Sequence, residues 1–367
     1  MEVNTIAIDL AKNVFALCAA NGDGELIWRK ELRRAQLLSF MRRQRPCVVG
    51  MEACGGAHYW ARQFAALGHA IRLVSPALVT PYRKGNKTDR NDAEAILEAI
   101  TRPSMRFVAV KSVAQQDLLA LHRVRSQLLK NRTAVCNQLR GLLRERGVAV
   151  RVGVTALKGA LPTILAEEEN NEISGEIRDL LIEMSDWLRA LEARIASCDE
   201  KLDRKFKADE RCRRLAKVPG VGPLVATALV AAVGNAREFR NGRELSAFLG
   251  LVPRQHSSGG KRVLLGITKR GDRYLRTLLI HGARASLRWS ALKTDSYSCW
   301  AARIKATRGP NVAAVAMANK NARILWALLN RGERYRPGNS TPRTVLRAGS
   351  PPSVEGARAA KLCLVED

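Results

Sequence analysis

Residues 21–24 read Asn-Gly-Asp-Gly and stand between two apolar runs of strand length. That sequence accepts the positive φ angles of a tight turn, so it makes a hairpin of its flanks. The runs at 14–20 and 25–31 are therefore antiparallel neighbours. Residues 5–10, Thr-Ile-Ala-Ile-Asp-Leu, form a buried strand before them, with an acid, Asp9, near its end. A helical stretch at 35–43 follows, then a fourth strand at 47–52 that again ends at an acid, Glu52. A helix at 58–67 is closed by Gly68, and 70–74 is a fifth strand.

Three antiparallel strands, then helix, strand, helix, strand, helix is the order of a ribonuclease-H-like α/β fold. In that architecture the ends of the first and fourth strands are neighbours, which brings Asp9 and Glu52 together. Residues 86–97, Asn-Lys-Thr-Asp-Arg-Asn-Asp-Ala-Glu-Ala-Ile-Leu, start the next helix. Thr88 or Asp89 caps it, and Ala93, Ile96, Leu97 and Ile100 supply its buried stripe. Asp89 and Asp92 lie three apart and share one face. Acids in a first turn also satisfy the helix dipole. Yet two strand-end acids are expensive to leave in a cleft without a cation. Together with the helical pair they point to a metal site, and phosphodiester chemistry uses Mg²⁺ there.

Charge gives the partner. The chain carries a net +28 over 367 residues, and its acids are unevenly placed. Residues 165–210 hold 14 of the 34 Asp and Glu against 7 of the 62 Lys and Arg, leaving 55 basic against 20 acidic residues elsewhere. Such a surface selects a polyanion, of which nucleic acid is the commonest. No long basic amphipathic terminus argues for a membrane surface. The longest apolar run is too short for a bilayer, and no signal peptide opens the chain. None of the eight cysteines forms a CxxC pair, so no zinc knuckle is indicated. Several sit in apolar runs as free thiols, which suggests a reducing cytoplasm; for a nucleic-acid partner the expected place there is the nucleoid.

Residues 111–210 are expected to be a long helical insertion. A helix at 117–146 has an apolar seam of Leu118, Leu121, Leu128, Val135, Leu139 and Leu142. Arg123, Arg125, Lys130, Arg132, Arg140, Arg144 and Arg146 decorate it, a surface for a phosphate backbone or for plain solvation. Residues 147–164, with three glycines and Pro162, read as a linker or a partly ordered connection. Ile177, Leu181, Met184, Leu188, Leu191, Ile195, Cys198 and Leu202 alternate steps of four and three, a coiled-coil seam. It either folds back on the basic helix or pairs with another chain.

Residues 211–336 are expected to be a mainly α domain. Val218-Pro219-Gly220-Val221-Gly222 running into an Ala-rich helix is the helix-hairpin-helix pattern. Gly220 and Gly222 would let backbone N–H groups face a phosphate. Arg254, His256, Ser257, Ser258, Gly259, Gly260, Lys261 and Arg262, with Lys269 and Arg270 beyond, form an electropositive loop. It can hold a phosphate, and its serine can attack one if activated. Residues 337–367 are Pro, Ser, Gly and Arg-rich and are expected to be a disordered tail.

Over residues 3–336 these pieces resemble the transposases of bacterial insertion sequences that have a RuvC-like Asp-Glu-Asp-Asp domain. Such enzymes also carry a C-terminal serine transposase domain, and they include the Piv invertase relatives and the bridge-RNA-guided recombinases. The motifs that carry the resemblance are Ile8-Asp9-Leu10-Ala11-Lys12, Met51-Glu52-Ala53, Asn86 to Ala93, Pro219-Gly220-Val221-Gly222, and Ser257-Ser258-Gly259-Gly260 with residues 267–275, all in the family's order. The resemblance implies that Asp9, Glu52, Asp89 and Asp92 hold Mg²⁺ and that Ser258 forms a phosphoserine link to DNA. Ser258 rather than Ser257 rests on motif alignment alone. The resemblance further implies a homo-oligomer, dimer or tetramer, and a structured guide RNA from the same element. Two other readings remain open at this stage. One is a metal-dependent nuclease or Holliday-junction resolvase using the carboxylates alone. The other is an architectural nucleic-acid binder.

Overall fold

The computed structural model describes residues 2–86, 88–167, 172–261 and 263–337. Arg262 and the expected tail beyond Pro337 lie outside the described residues. The chain divides into two compact units, residues 1–116 and residues from 117 onward.

In the first unit β1 (Thr5–Asp9), β2 (Val14–Ala20), β3 (Leu26–Arg33) and α1 (Arg34–Arg42) lead to β4 (Val48–Glu52). Then come α2 (Ala57–Ala66), β5 (Ala70–Val74), a short α3 (Pro76–Val79), α4 (Asp89–Thr101) and β6 (Phe107–Val108). The sheet order is β3-β2-β1-β4-β5-β6. β1, β2 and β3 pair antiparallel, β1 with β4 and β4 with β5 parallel, and β6 antiparallel on the edge. This mixed α/β sheet is compatible with a nuclease-like fold of the Asp-Glu-Asp-Asp type. Side chains of a strand alternate between faces. Ile6, Ile8, Phe15, Leu17, Val49 and Met51 therefore join Leu37, Met41, Trp60 and Phe64 in a core on the α1 and α2 side. The opposite face has small residues, Ala7, Ala16, Cys18 and Ala20, and buries Ile96 and Ile100 of α4. Gly50 belongs to this face, where a Cβ would meet the Ile100 Cδ1 at 2.2 Å. Small side chains there let α4 lie directly on the sheet.

The second unit continues α5 (Val113–Arg144) and adds α6 (Val154–Ala166), α7 (Gly175–Ala208) and α8 (Glu210–Leu215). After these come α9 (Pro223–Val233), α10 (Gly242–Phe248), β7 (Pro253–Gln255), β8 (Leu264–Ile267), α11 (Arg273–Leu287), α12 (Ser296–Arg308) and α13 (Pro310–Arg331). The linker expected at 147–164 is corrected: most of it is helix α6, which carries Pro162 in its interior. Leu157 and Leu161 of α6 share a core with Val135, Leu139 and Leu143 of α5 and Leu181, Leu188 and Leu191 of α7. Within this chain, then, the upper seam of α7 is covered by α5 and α6. A second core gathers residues of α8 to α13 around the nearly all-buried α9.

His122 of α5 is buried and ties the two cores together. Its Nε2 lies 3.0 Å from Thr227 Oγ1 on α9, and its Nδ1 lies 3.0 Å from the Tyr274 hydroxyl on α11. Thr227 donates its own proton to the Pro223 carbonyl at 2.7 Å. It can then only accept from Nε2–H, and the neutral imidazole accepts from the Tyr274 hydroxyl at Nδ1. Burial, helped by the Arg125 charge, pulls the His122 pKa down to about 4.

Candidate functional site

The register of β1 against β4 pairs Ile8 with Met51, so the next residues, Asp9 and Glu52, stand side by side at the strand ends. Ala7 and Gly50 face α4, and two residues further on the same face is presented again, so both acids project to the α4 side. Burial, then the Glu52 and Asp9 charges, raise the pKa of the Cys54 thiol. α4 brings the other two. Thr88 caps it, its Oγ1 accepting from the Asn91 N–H at 3.2 Å, and Asp89 and Asp92 occupy the first turn. Asp89 is exposed, whereas Asp92 is half-buried and accepts from Arg83 Nη1 at 3.2 Å. All four are carboxylates, the hard oxygen donors that Mg²⁺ takes. Among the described residues no three Asp, Glu, His or Cys side chains stand close enough to share one cation, so the four acids are not gathered into a single cage.

The second candidate element is the β7–β8 hairpin. Gln255 pairs with Leu264, the His256 N–H donates to the Val263 carbonyl at 3.0 Å, and Ser258 bridges to Lys261. Gly259 and Gly260 form the tip with φ of +53° and +78°. The Lys261 N–H closes it on the Ser258 carbonyl at 3.0 Å, a two-residue turn that only glycine-like residues adopt readily. Along the extended arm Ser257 shares a face with Gln255, and Ser258 with His256. Ser257 Oγ accepts from Gln255 Nε2 at 3.0 Å and from the Val263 N–H at 3.3 Å. Ser258 is exposed, and its hydroxyl has no hydrogen-bond partner among the described residues. At the hairpin base the buried Arg276 donates through Nη1 to the Leu249 and Arg270 carbonyls, each at 3.0 Å.

Comparison with known proteins decides what these elements belong to. Residues 6–146 match a transposase model of the Asp-Glu-Asp-Asp type found in IS110 elements, and residues 212–298 match a model described as "Transposase IS116/IS110/IS902 family". A "probable family 20 transposase" of Pseudomonas aeruginosa is 51% identical over 339 residues, 92% of this chain and all of that one. The transposase for insertion sequence element IS1111A of Coxiella burnetii is 48% identical, over 92% of each chain. The transposase for element IS1328 of Yersinia enterocolitica is 38% identical, over 90% of this chain and 98% of that one. The chain belongs to the IS110/IS116 family of transposases.

It is thus an enzyme of DNA transposition, and its reaction is phosphoryl transfer. The transposase carries all four acids within its first matched region, and Gly220, Gly222 and Ser258 within its second. The turn between α8 and α9 gives its two glycines different surroundings. A Cβ at Gly220 would stand 2.7 Å from the Gly282 carbonyl oxygen, so Gly220 serves contact with α11; Gly222 opens onto free space at the α9 N-cap.

The basic residues of the transposase also divide. Arg123 and Lys130 are exposed on α5, and Arg132 is half-buried. Arg125 is ion-paired to Asp199 of α7, and Arg140 donates to the Gly153 carbonyl at 2.6 Å. Arg254, Lys261, Lys269 and Arg270 are exposed around the hairpin. Lys269 holds a left-handed φ of +56°. Sequence reasoning passed over Arg83, which lies in no motif, and took Arg276 only as one of a row of cations. Arginines are abundant throughout this chain, so neither stood out. Among the described residues no helix is long and apolar enough to cross a membrane.

Proposed function

We propose that this transposase cleaves and rejoins DNA with Ser258 as nucleophile and with Asp9, Glu52, Asp89 and Asp92 as ligands of Mg²⁺, which would draw the four acids together on binding. The observation that carries the serine is its place at the hairpin tip. The Ser257 hydroxyl accepts two hydrogen bonds that brace the hairpin, while the Ser258 hydroxyl projects unengaged on the face of His256. Ser258 Oγ bonds to phosphorus as one backbone P–O bond breaks. The hydroxyl proton leaves to a base, for which His256 is the neighbour on the same face, and the departing DNA oxygen takes up a proton. The phosphoserine link conserves the bond energy for religation without ATP. When bound, Mg²⁺ neutralises phosphate charge and polarises the scissile group.

Arg123, Lys130, Arg132, Arg254, Lys261, Lys269 and Arg270, with the Gly222 N-cap, supply the phosphate contacts, and Arg262 belongs to the same set. The basic face of α5 is the surface for a structured RNA of the element, which selects donor and target by base pairing. Exchange between two DNA partners requires more than one serine, so the working form is a homo-oligomer on DNA in the nucleoid.

The test is to incubate the protein with Mg²⁺, element-end DNA and its flanking transcript, and to resolve the products on denaturing gels. Protein should remain attached to a DNA strand. The adduct should vanish with Ser258→Ala and also with Asp9→Asn or Asp92→Asn. If Ser258→Ala cleaves as well as the wild type, the carboxylate-only nuclease reading takes its place.

A further inference from the structure

A cavity of the second unit lies away from both elements described above. It encloses about 910 Å³ between α12, α13 and the segment 333–336. Three cations, Lys320, Arg334 and Arg336, line it together with the rings of Tyr297 and Tyr335, and Glu333 is its one acid. Glu333 stands 3.7 Å from Arg331. Lys320 holds its ammonium 4.2 Å above the centre of the Trp300 ring and 5.3 Å from that of Tyr297. Tyr297 is locked from behind, its hydroxyl donating to Asn321 Oδ1 at 2.6 Å. Tyr335 is half-buried and packs on the α8–α13 core, which anchors the segment that closes the cavity.

We propose that this cavity binds an unpaired nucleotide of a nucleic-acid strand. The half-buried Tyr335 ring offers a stacking face to any base, the buried Tyr297 forms the floor, and the lining cations suit the phosphates on either side. The volume falls in the range of small-molecule sites, so it admits a base with its sugar and phosphate but not a duplex. A duplex-binding surface would be a convex or grooved array of cations without recessed rings. The chain has such cations elsewhere, on α5 and the hairpin. The inference rests on the reading of this protein as a nucleic-acid enzyme, and it adds a site for single-stranded substrate, either displaced DNA or RNA.

The experiment uses the full chain and twelve-nucleotide single strands carrying one 4-thiothymidine (DNA) or 4-thiouridine (RNA), with the same sequence as a duplex for control. Photocrosslinking followed by mass spectrometry should place the adduct within residues 333–336 or on Lys320. Whichever strand crosslinks there names the source. Tyr335→Ala and Lys320→Gln should each weaken single-strand binding about tenfold, while Tyr335→Phe, which keeps the ring, binds as the wild type. Duplex binding should not change. Arg336→Gln, an exposed change that cannot unfold the core, should weaken single-strand binding several-fold. Wild-type single-strand affinity in both Tyr335→Ala and Arg336→Gln overturns the inference while leaving the transposase reading intact. Failure of the wild type to bind the duplex overturns the reading on which both stand.

Discussion

Gly50 and Ile100 are in such close contact that a single methyl group on Gly50 would stand 2.2 Å from the Ile100 Cδ1. The helix that carries Asp89 and Asp92 is seated on the sheet through this contact. Gly50→Ala should therefore lift or shift α4 and cost about 1–3 kcal/mol, as overpacking of a filled core does. Pairing it with Ile100→Val should return part of the loss. Urea unfolding midpoints of the two single variants and the double variant measure the coupling, and strict additivity would show that the two residues act independently.

Ser257→Ala separates bracing from chemistry. It removes the acceptor of two hydrogen bonds, so the hairpin loses about 1 kcal/mol of local order. Covalent adduct formation should slow several-fold yet persist. Loss of the adduct as complete as in Ser258→Ala would reverse the assignment of the two serines.

Arg83 restrains Asp92 through its 3.2 Å ion pair. A carboxylate shared with a guanidinium is a poorer metal ligand, because the cation must compete for it. Arg83→Gln should tighten Mn²⁺ or Tb³⁺ binding several-fold, measured by luminescence or calorimetric titration. Asp92→Asn should weaken it. Unchanged affinity in both variants would remove Asp92 from the metal set.

His122 gives a pH signature. Its folded pKa is depressed to about 4 from 6.5, so the unfolded chain binds the proton more readily. The stability it contributes is complete above pH 6.5 and is lost as pH falls through 4, to a total on the order of 3 kcal/mol. His122→Asn should be less stable than the wild type at pH 7.5 but should show a flatter decline between pH 6.5 and 4. Parallel declines in denaturant midpoints would mean that the imidazole is already charged in the folded protein.

Arg123 and Lys130 project from α5, whereas Arg125 is paired with Asp199. Arg123→Gln and Lys130→Gln should each lower the slope of log affinity for nucleic acid against log salt by about one. Arg125→Gln should leave that slope unchanged and lower the melting temperature instead. A salt slope that falls with Arg125→Gln would move this residue into the interface.

The first unit was nearly transparent to its sequence. Strands 14–20 and 70–74 have the expected ends, because a glycine turn or a helix-closing Gly68 marks them. The pair Asp9 and Glu52 followed from the strand order alone. β6 escaped notice since two residues carry no periodicity, and its pairing depends on β5 being placed first. α6 was read as a linker because Gly153, Gly159 and Pro162 are helix-unfriendly. What overrides them is tertiary: Leu157 and Leu161 bury themselves against α5 and α7. Neither Arg83 on Asp92 nor the two hydrogen bonds on Ser257 could be read from spacing, since each depends on how a loop folds back.

The glycine turn at the tip of β7–β8 leaves Ser258 bathed in bulk water, chemically no different from any other surface alcohol. On the proposed reading, that hydroxyl gains reactivity only once a phosphate and a base are beside it. Selectivity would then belong to whatever brings a DNA strand to the hairpin tip.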